Sequence, residues 1–326
     1  MKFKALISSI ALGATVAFSV SAHAEEGYPT RPVTIVVPFA AGGPVDFVAR
    51  EVGALLSKET GQTFVVQNVG GGHGIPAMNR VGRAPSDGYT LLLAGASNVT
   101  DQPLATDASR EAASLLEPVS LVATSPQVLV VSSTLPVTTT GEFIDYAKKN
   151  PGVVNFGSAG VGTISHLGLE LLASRSNVDV VHVPYKGTSL VTQDLRSGAV
   201  HALLTSMPSI KPLIDANAIR ALGLTSDSVG KDTEGIPKLA TAVPGMEYAT
   251  WYGMYVTKGT PAPVVEKLNG FLRKVLDDEQ LKAKLLETGT QLTASSPAEL
   301  QARVDRDSKL WTEAVGASQL KHKTNS

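Results

Sequence analysis

The sequence predicts an α/β protein made of two doubly wound lobes with a ligand cleft between them. Short β-branched runs alternate with helical stretches along most of the chain, so the sheets should be mostly parallel with helices on both faces. One unit, a strand followed by a small-residue loop and a helix start, occurs twice, near residue 40 and near residue 158. Ligands of open parallel sheets bind at the carboxyl ends of the strands, so two facing loops would enclose a ligand. The expected division is 25–125 and 249–326 in one lobe and 126–248 in the other.

The first unit is VTIVVPFAAGGPVDFVAR, residues 33–50. Val33 to Val37 reads as a buried strand that Pro38 ends. Phe39, Ala40, Ala41, Gly42 and Gly43 form a loop with little side-chain bulk. Pro44 suits the first helical position, and Val45, Val48, Ala49, Val52, Leu55 and Leu56 follow at helical spacing. Free N–H groups and the positive end of the helix dipole then face whatever sits above the loop, which suits an anion. Asp46, in the first turn, reads either as a helix-start acceptor or as a contact that would favour an ammonium group.

Gly61 closes this helix. Phe64 to Gln67 is a second strand, and NVGGGHG (68–74) is a glycine loop that implies tight turns or close approach of backbone to a bound group. Helix 76–84 and strand 89–94 follow. Residues 95–115, including Ser97, lack a clear period and read as a loop with a short helix. Pro118 to Ala123 and Val128 to Ser132 look like strands, and Thr140 is a candidate cap for helix 141–149.

Then the opening pattern returns. Val153 to Phe156 is a strand, and Ser158, Ala159, Gly160, Gly162 and Thr163 belong to a small-residue loop. Thr163 or Ser165 caps a helix through His166 and Leu172. His166 reads either as bonded to local backbone or as a donor to a ligand. Strand 178–183 ends in Tyr185, Lys186 and Gly187. Lys186 is solvated or supplies charge near the cleft, and Asp194 faces solvent or caps its own turn. Helix 191–197, strand 200–205, helix 210–216 and strand 221–225 complete this half. A polar connection leads to YATWYGMYVT (248–257), whose Trp251 and Tyr252 line the cleft or lie in the core. Helices at 261–276, 280–286 and 297–311 precede a tail at 321–323 that reads as frayed.

The composition narrows the function. Of 326 residues, 43% are hydrophobic and 17% charged, and the net charge of −1 offers no basic excess for a nucleic-acid partner. Lys2, Lys4, an apolar run and Ala22-His23-Ala24 read as a secretory signal cleaved after Ala24. With no cysteine there is neither a disulfide nor a lipid acceptor, so the mature chain is expected free in a periplasm. No later stretch is apolar enough to span a bilayer.

Enzyme motifs fail. GVGTIS places Ser165 where a dinucleotide fingerprint needs glycine, no P-loop follows any glycine run, and Phe156 stands where a nucleophile elbow at Ser158 needs glycine. The histidines have no metal spacing. Neither catalysis, metal nor cofactor is expected. The rival readings are an exported hydrolase using the same cleft and a ligand sensor for a signalling receptor.

Taken together, Tyr28-Pro29, VPFAAGGPVDFVAR, Asp87-Gly88-Tyr89-Thr90, FGSAGVGTISHL, HVPYKG, DLRSG and Trp251-Tyr252-Gly253 resemble the Bug family, the periplasmic solute-binding proteins of tripartite tricarboxylate transporters. The resemblance implies a type II periplasmic-binding-protein fold that closes on a small carboxylated metabolite: a di- or tricarboxylate, an amino acid or an aromatic acid. It also implies a monomer that delivers this ligand to two integral-membrane transporter subunits. Carried onto this chain, the contacts are Phe39 to Gly43 and Asp46 in one lobe, and Ser158 to Thr163, His166 and Tyr185 to Gly187 in the other. Ala41 stands where the family has proline and Val69 where it has arginine. Residues 97–107 and 229–241 also depart from the pattern.

Overall fold

The computed structural model describes residues 27–100, 103–287, 289–317 and 321–322. The expected signal segment lies outside the described residues. Two six-stranded sheets form the two lobes. The first contains β1 (Val33–Val37), β2 (Phe64–Asn68), β3 (Thr90–Gly95), β4 (Leu116–Ser125), β10 (Thr250–Thr257) and β11 (Gln291–Leu292), in the order β11-β4-β10-β3-β1-β2. The second contains β5 (Gln127–Ser132), β6 (Asn155–Ser158), β7 (Val181–Pro184), β8 (Ala202–Ser206), β9 (Ile219–Leu224) and β12 (Lys321–His322), in the order β12-β7-β6-β8-β5-β9. The expected frayed tail thus pairs, through Lys321 and His322, with β7.

The sheets are mixed rather than mostly parallel. β1, β2 and β3 pair in parallel, as do β6, β7 and β8. β10 runs antiparallel between β3 and β4, and β5 runs antiparallel between β8 and β9. The physical reason is exchange: each odd strand enters its sheet directly from the other lobe. β4 passes into β5 through Pro126 alone, and the chain after β9 returns as β10. Local periodicity cannot reveal such a crossing.

Both faces of each sheet are covered. On β1, Val33, Ile35 and Val37 face α1 (Pro44–Thr60) and α9 (Ala262–Val275), whereas Val36 joins Met78 and Val81 of α2 (Ile75–Gly82) on the opposite face. On β5, Leu129 and Val131 pack with Phe143 of α5 (Thr140–Lys149) and Leu167 of α6 (Ile164–Ser176). Val128 and Val130 pack with Val191 and Leu195 of α7 (Thr188–Ser197). Alternate residues of one strand therefore feed two cores, which is why these strands read as unbroken apolar runs. The poorly periodic stretch after β3 holds two helices, α3 (Ala96–Val99) and α4 (Asp107–Ser114). α8 (Lys211–Asp215) and α10 (Glu279–Leu286) complete the shorter helices.

The last helix, α11 (Pro297–Ala317), does not stay with the first lobe. Leu300 and Val304 join the first-lobe core around Trp251, while Trp311 and Ala314 join the second-lobe core beside Tyr248. The expected assignment of all of 249–326 to one lobe is at odds with this. Trp251 is a core residue, and its indole N–H donates to the buried Asp307 carboxylate at 2.7 Å. Arg303 and Arg306 donate to the same carboxylate at 3.1 to 3.3 Å. Asp307→Ala is expected to destabilise the protein by about 2 kcal/mol, the scale of losing hydrogen bonds to a buried charged acceptor. Equilibrium unfolding in urea measures this.

Candidate functional site

The loops after β1 and β6 face each other across a shared cavity. An inner chamber of 660 Å³ is walled by the first-lobe loop 39–43, by Ser97, and by Ala159, Thr163 and Gly187 of the second lobe. An outer chamber of 1110 Å³ shares Phe39, Ala40, Ser97, Ala159, Thr163 and Gly187, and adds Gly160, Tyr185 and Lys186. Twelve of the residues singled out from the sequence therefore meet in one place.

The other four do not line it: Asp46, Ser158, Gly162 and His166. Three of these are buried side chains that hold the loops from behind. Asp46 accepts from the Gly42 N–H at 2.8 Å, from Arg50 at 3.0 Å and from Asn68 at 2.9 Å. Burial alone pushes its pKa up. The bonds from Arg50, Gly42 and Asn68 outweigh that and hold the carboxyl below its ordinary value. His166 accepts the Gly162 N–H on Nδ1 at 3.0 Å, which places the ring proton on Nε2, 3.1 Å from Glu170. It is bonded to local backbone and does not reach a ligand in the cleft.

Ser158 is fully buried and accepts the Gly160 N–H at 3.1 Å. It also lies 2.6 Å from Nε2 of His182, whose ring stacks on His166 at 3.9 Å. A Ser–His bond would suit a nucleophile, but this hydroxyl lies off the cavity wall. Ser165, expected as a possible cap, instead accepts the Ala159 N–H at 3.0 Å. Asp194 is half-buried. It accepts the Tyr185 hydroxyl at 2.6 Å, and burial together with that bond raises the phenol's pKa.

The N–H groups of Gly42, Ala159, Gly160 and Gly162 are thus taken by the protein's own side chains, so the donors that face the cavity belong to helix starts. α1, α2, α6 and α7 begin at Gly43, Gly74, Thr163 and Gly187, all on the cavity wall, and none has a side-chain cap bond. Elsewhere the helices are capped: α4 by Thr106, α5 by Thr139, α10 by Asp278 and α11 by Ser296. α8, which begins after Ile210, and α9, which begins after Pro261, are the exceptions away from the cleft. Uncapped first turns leave N–H donors and positive dipole ends for an outside acceptor. Lys186, His73 and His182 line the outer chamber, and among the described residues no Asp or Glu lines either one. The wall is largely apolar, and these donors with Lys186 supply the features that suit an anion.

Two backbone features shape it. Gly71, Gly72, His73 and Gly74 all have positive φ, and a side chain on Gly74 would lie 2.7 Å from Asn98 and 2.9 Å from Pro38. Gly160, at φ +134°, sits where a Cβ would be 3.2 Å from the Tyr185 carbonyl. Both loops are therefore tight turns as well as cavity walls.

Sequence reasoning missed several walls. Thr188 and Ser189 open α7, which begins three residues before its first buried position, Val191. Gln127, Thr205, Thr250 and Tyr252 form the floor, where the crossing strands meet. The hydroxyls after Gly187 were a readable helix-start signal, but the floor needs the topology.

Comparison with known proteins gives consistent matches. A family model described as the tripartite tricarboxylate transporter family receptor matches residues 48–318. A "UPF0065 protein in tcbD-tcbE intergenic region" from Pseudomonas sp. (strain P51) is 36% identical over 95% of this chain and 93% of its own. Among solved structures, R. palustris Rpa4515 with adipate is 33% identical, with a TM-score of 0.80 over 91% of this chain and all of that one. The periplasmic binding protein BugD is 32% identical, with a TM-score of 0.76 over the same shares.

Asp46 yields a pH prediction. Its folded pKa lies below the unfolded value, so its contribution to stability is present above the unfolded value of about 3.9 and is lost as pH falls through the folded one. Asp46→Asn should flatten the acid limb of the melting-temperature profile below about pH 4. An unchanged profile would show that the carboxylate carries no such linkage.

Proposed function

The chain belongs to the tripartite tricarboxylate transporter receptor family, and we propose that it is a periplasmic binding protein that captures a small organic carboxylate and presents it to a membrane transporter. The observation that carries this reading is the convergence of four uncapped helix starts, two from each lobe, on one cavity with no Asp or Glu among its described lining residues. A carboxylate held there accepts from backbone N–H groups and from the hydroxyls of Ser97, Thr188 and Ser189, with Lys186 adding charge. Nothing in this arrangement requires the ligand to be altered.

The solved relative with bound adipate supports a dicarboxylate as the ligand class. The two chambers suit one carboxylate inside and a second group outside. A ligand touching both lobes stabilises whichever lobe angle lets it do so, so capture and closure form one equilibrium. In this reading the chain loses residues 1–24 on export, acts as a monomer, and offers its closed surface to two integral-membrane subunits.

Binding to the native state alone stabilises it by about 2.7 kcal/mol at a ligand concentration of 100 Kd. A panel of dicarboxylates, hydroxy acids, amino acids and aromatic acids should therefore contain a member that raises Tm by several degrees. Silence across the panel overturns the proposal. Gly43→Val is a sharper probe. Gly43 has an ordinary φ of −82°, and a Cβ there meets nothing closer than 3.6 Å, so the backbone tolerates the change while the side chain enters the inner chamber. Titration calorimetry should show binding lost, with the far-UV circular dichroism unchanged.

A further inference from the structure

Tyr252 lies near the start of β10, the strand that brings the chain back from the other lobe. It pairs with Gly95 of β3 on one side and with Ala123 of β4 on the other. Gly95 ends β3, and Ala96 and Ser97 beyond it belong to the inner-chamber wall. Successive side chains of a strand point to opposite faces. Trp251 therefore enters the core around Met78, whereas Tyr252 packs in the core that holds Val45 and Val48 of α1.

Three tyrosines lie along this segment, and their hydroxyls differ. Those of Tyr248 and Tyr255 are sealed from solvent without a partner, and neither residue lines either chamber. Tyr252 keeps 9% of its surface accessible and lines the inner-chamber floor. Among the described residues nothing bonds its hydroxyl, and burial alone pushes its pKa up to about 12. The phenol therefore keeps its proton at physiological pH and donates without adding negative charge to the wall. Its O–H rotates about the C–O bond, so the donor can follow an acceptor placed in the chamber.

While the cleft holds solvent, water satisfies this hydroxyl. A ligand that fills the chamber displaces that water, so it must offer an acceptor or leave a buried donor unpaired. A carboxylate oxygen is such an acceptor, and its charge strengthens the bond. We propose that Tyr252 is a ligand-binding residue whose hydroxyl donates to the carboxylate of the bound acid from the floor of the inner chamber. The helix starts and Ser97, Thr188 and Ser189 grip the same group from the walls. This rests on the carboxylate-capture reading and adds to it an orientation: the charged end points inward, toward the crossing strands, and the rest of the ligand extends to the outer chamber.

The experiment is titration calorimetry of the full mature chain with succinate, malate, adipate, glutamate and benzoate, on the wild type, Tyr252→Phe and Tyr255→Phe. Phenylalanine keeps the ring and its packing and removes only the oxygen. For every acid that the wild type binds, Tyr252→Phe should bind about tenfold to a hundredfold more weakly, the scale of a lost hydrogen bond to a charged group. Its Tm without ligand should match that of the wild type. Tyr255→Phe, which loses a sealed hydroxyl, should bind as the wild type does. Full affinity in Tyr252→Phe overturns the assignment. So does an equal loss in both variants, which traces the effect to the packing of β10 rather than to a contact. If the wild type binds none of these acids, it is the capture reading itself that fails.

Discussion

The two cavity-lining loops after β1 and β6 are held by side chains reaching back to backbone N–H groups, and the rest of the site depends on these bonds. Asp46 reaches Gly42, Ser165 reaches Ala159, His166 reaches Gly162, and Ser158 reaches Gly160 across the same turn. Without them, loops of alanine and glycine would have no reason to keep one shape, because such residues bring little packing of their own and lose the most chain freedom on ordering. The polar groups are also buried, where a hydrogen bond is electrostatically stronger and an unmade one costs more. The loops are rigid because what lies behind them is polar and satisfied.

That division of labour explains why the helix starts can be left open. Where a helix begins away from the cleft, a threonine, serine or aspartate usually accepts its first N–H groups. Where it begins at the cleft, the cap position is glycine or a threonine whose hydroxyl bonds to Gly160 instead. An exposed helix start attracts a negative charge by only about 0.3 to 1 kcal/mol, rising to about 2 when partly buried. Several such ends on one cavity wall would favour an anion without an arginine clamp, and no Asp or Glu among the described lining residues opposes that preference.

Much of this was legible in the sequence. The repeated strand–loop–helix unit located both loops, and Pro44, Gly61 and Gly198 marked helix ends where the structure has them. Asp46, Ser158 and His166 were recognisable as important polar residues, but whether they faced a ligand or the loop backbone was not, because a first-turn side chain can reach either. The strand exchange at β5 and β10 was hidden, since an antiparallel strand buried on both faces has the same apolar run as a parallel one. The floor residues Gln127, Thr205 and Thr250 were hidden for the same reason: three separate strands bring them together, and no local pattern announces it. Thr140 shows a smaller limit, for Thr139 is the cap and Thr140 instead bonds the Leu222 carbonyl.

Helix α11 has a mechanical consequence. Its first half packs in one lobe through Leu300 and Val304, Asp307 holds its middle under Trp251, and its second half packs in the other lobe through Trp311 beside Tyr248, so it bridges the two halves alongside two extended crossings. A pair of halves joined only by two strands could swing widely, but a third, helical connection confines them to a narrow arc. Any change in the angle between the halves must therefore re-seat one half of this helix in its core.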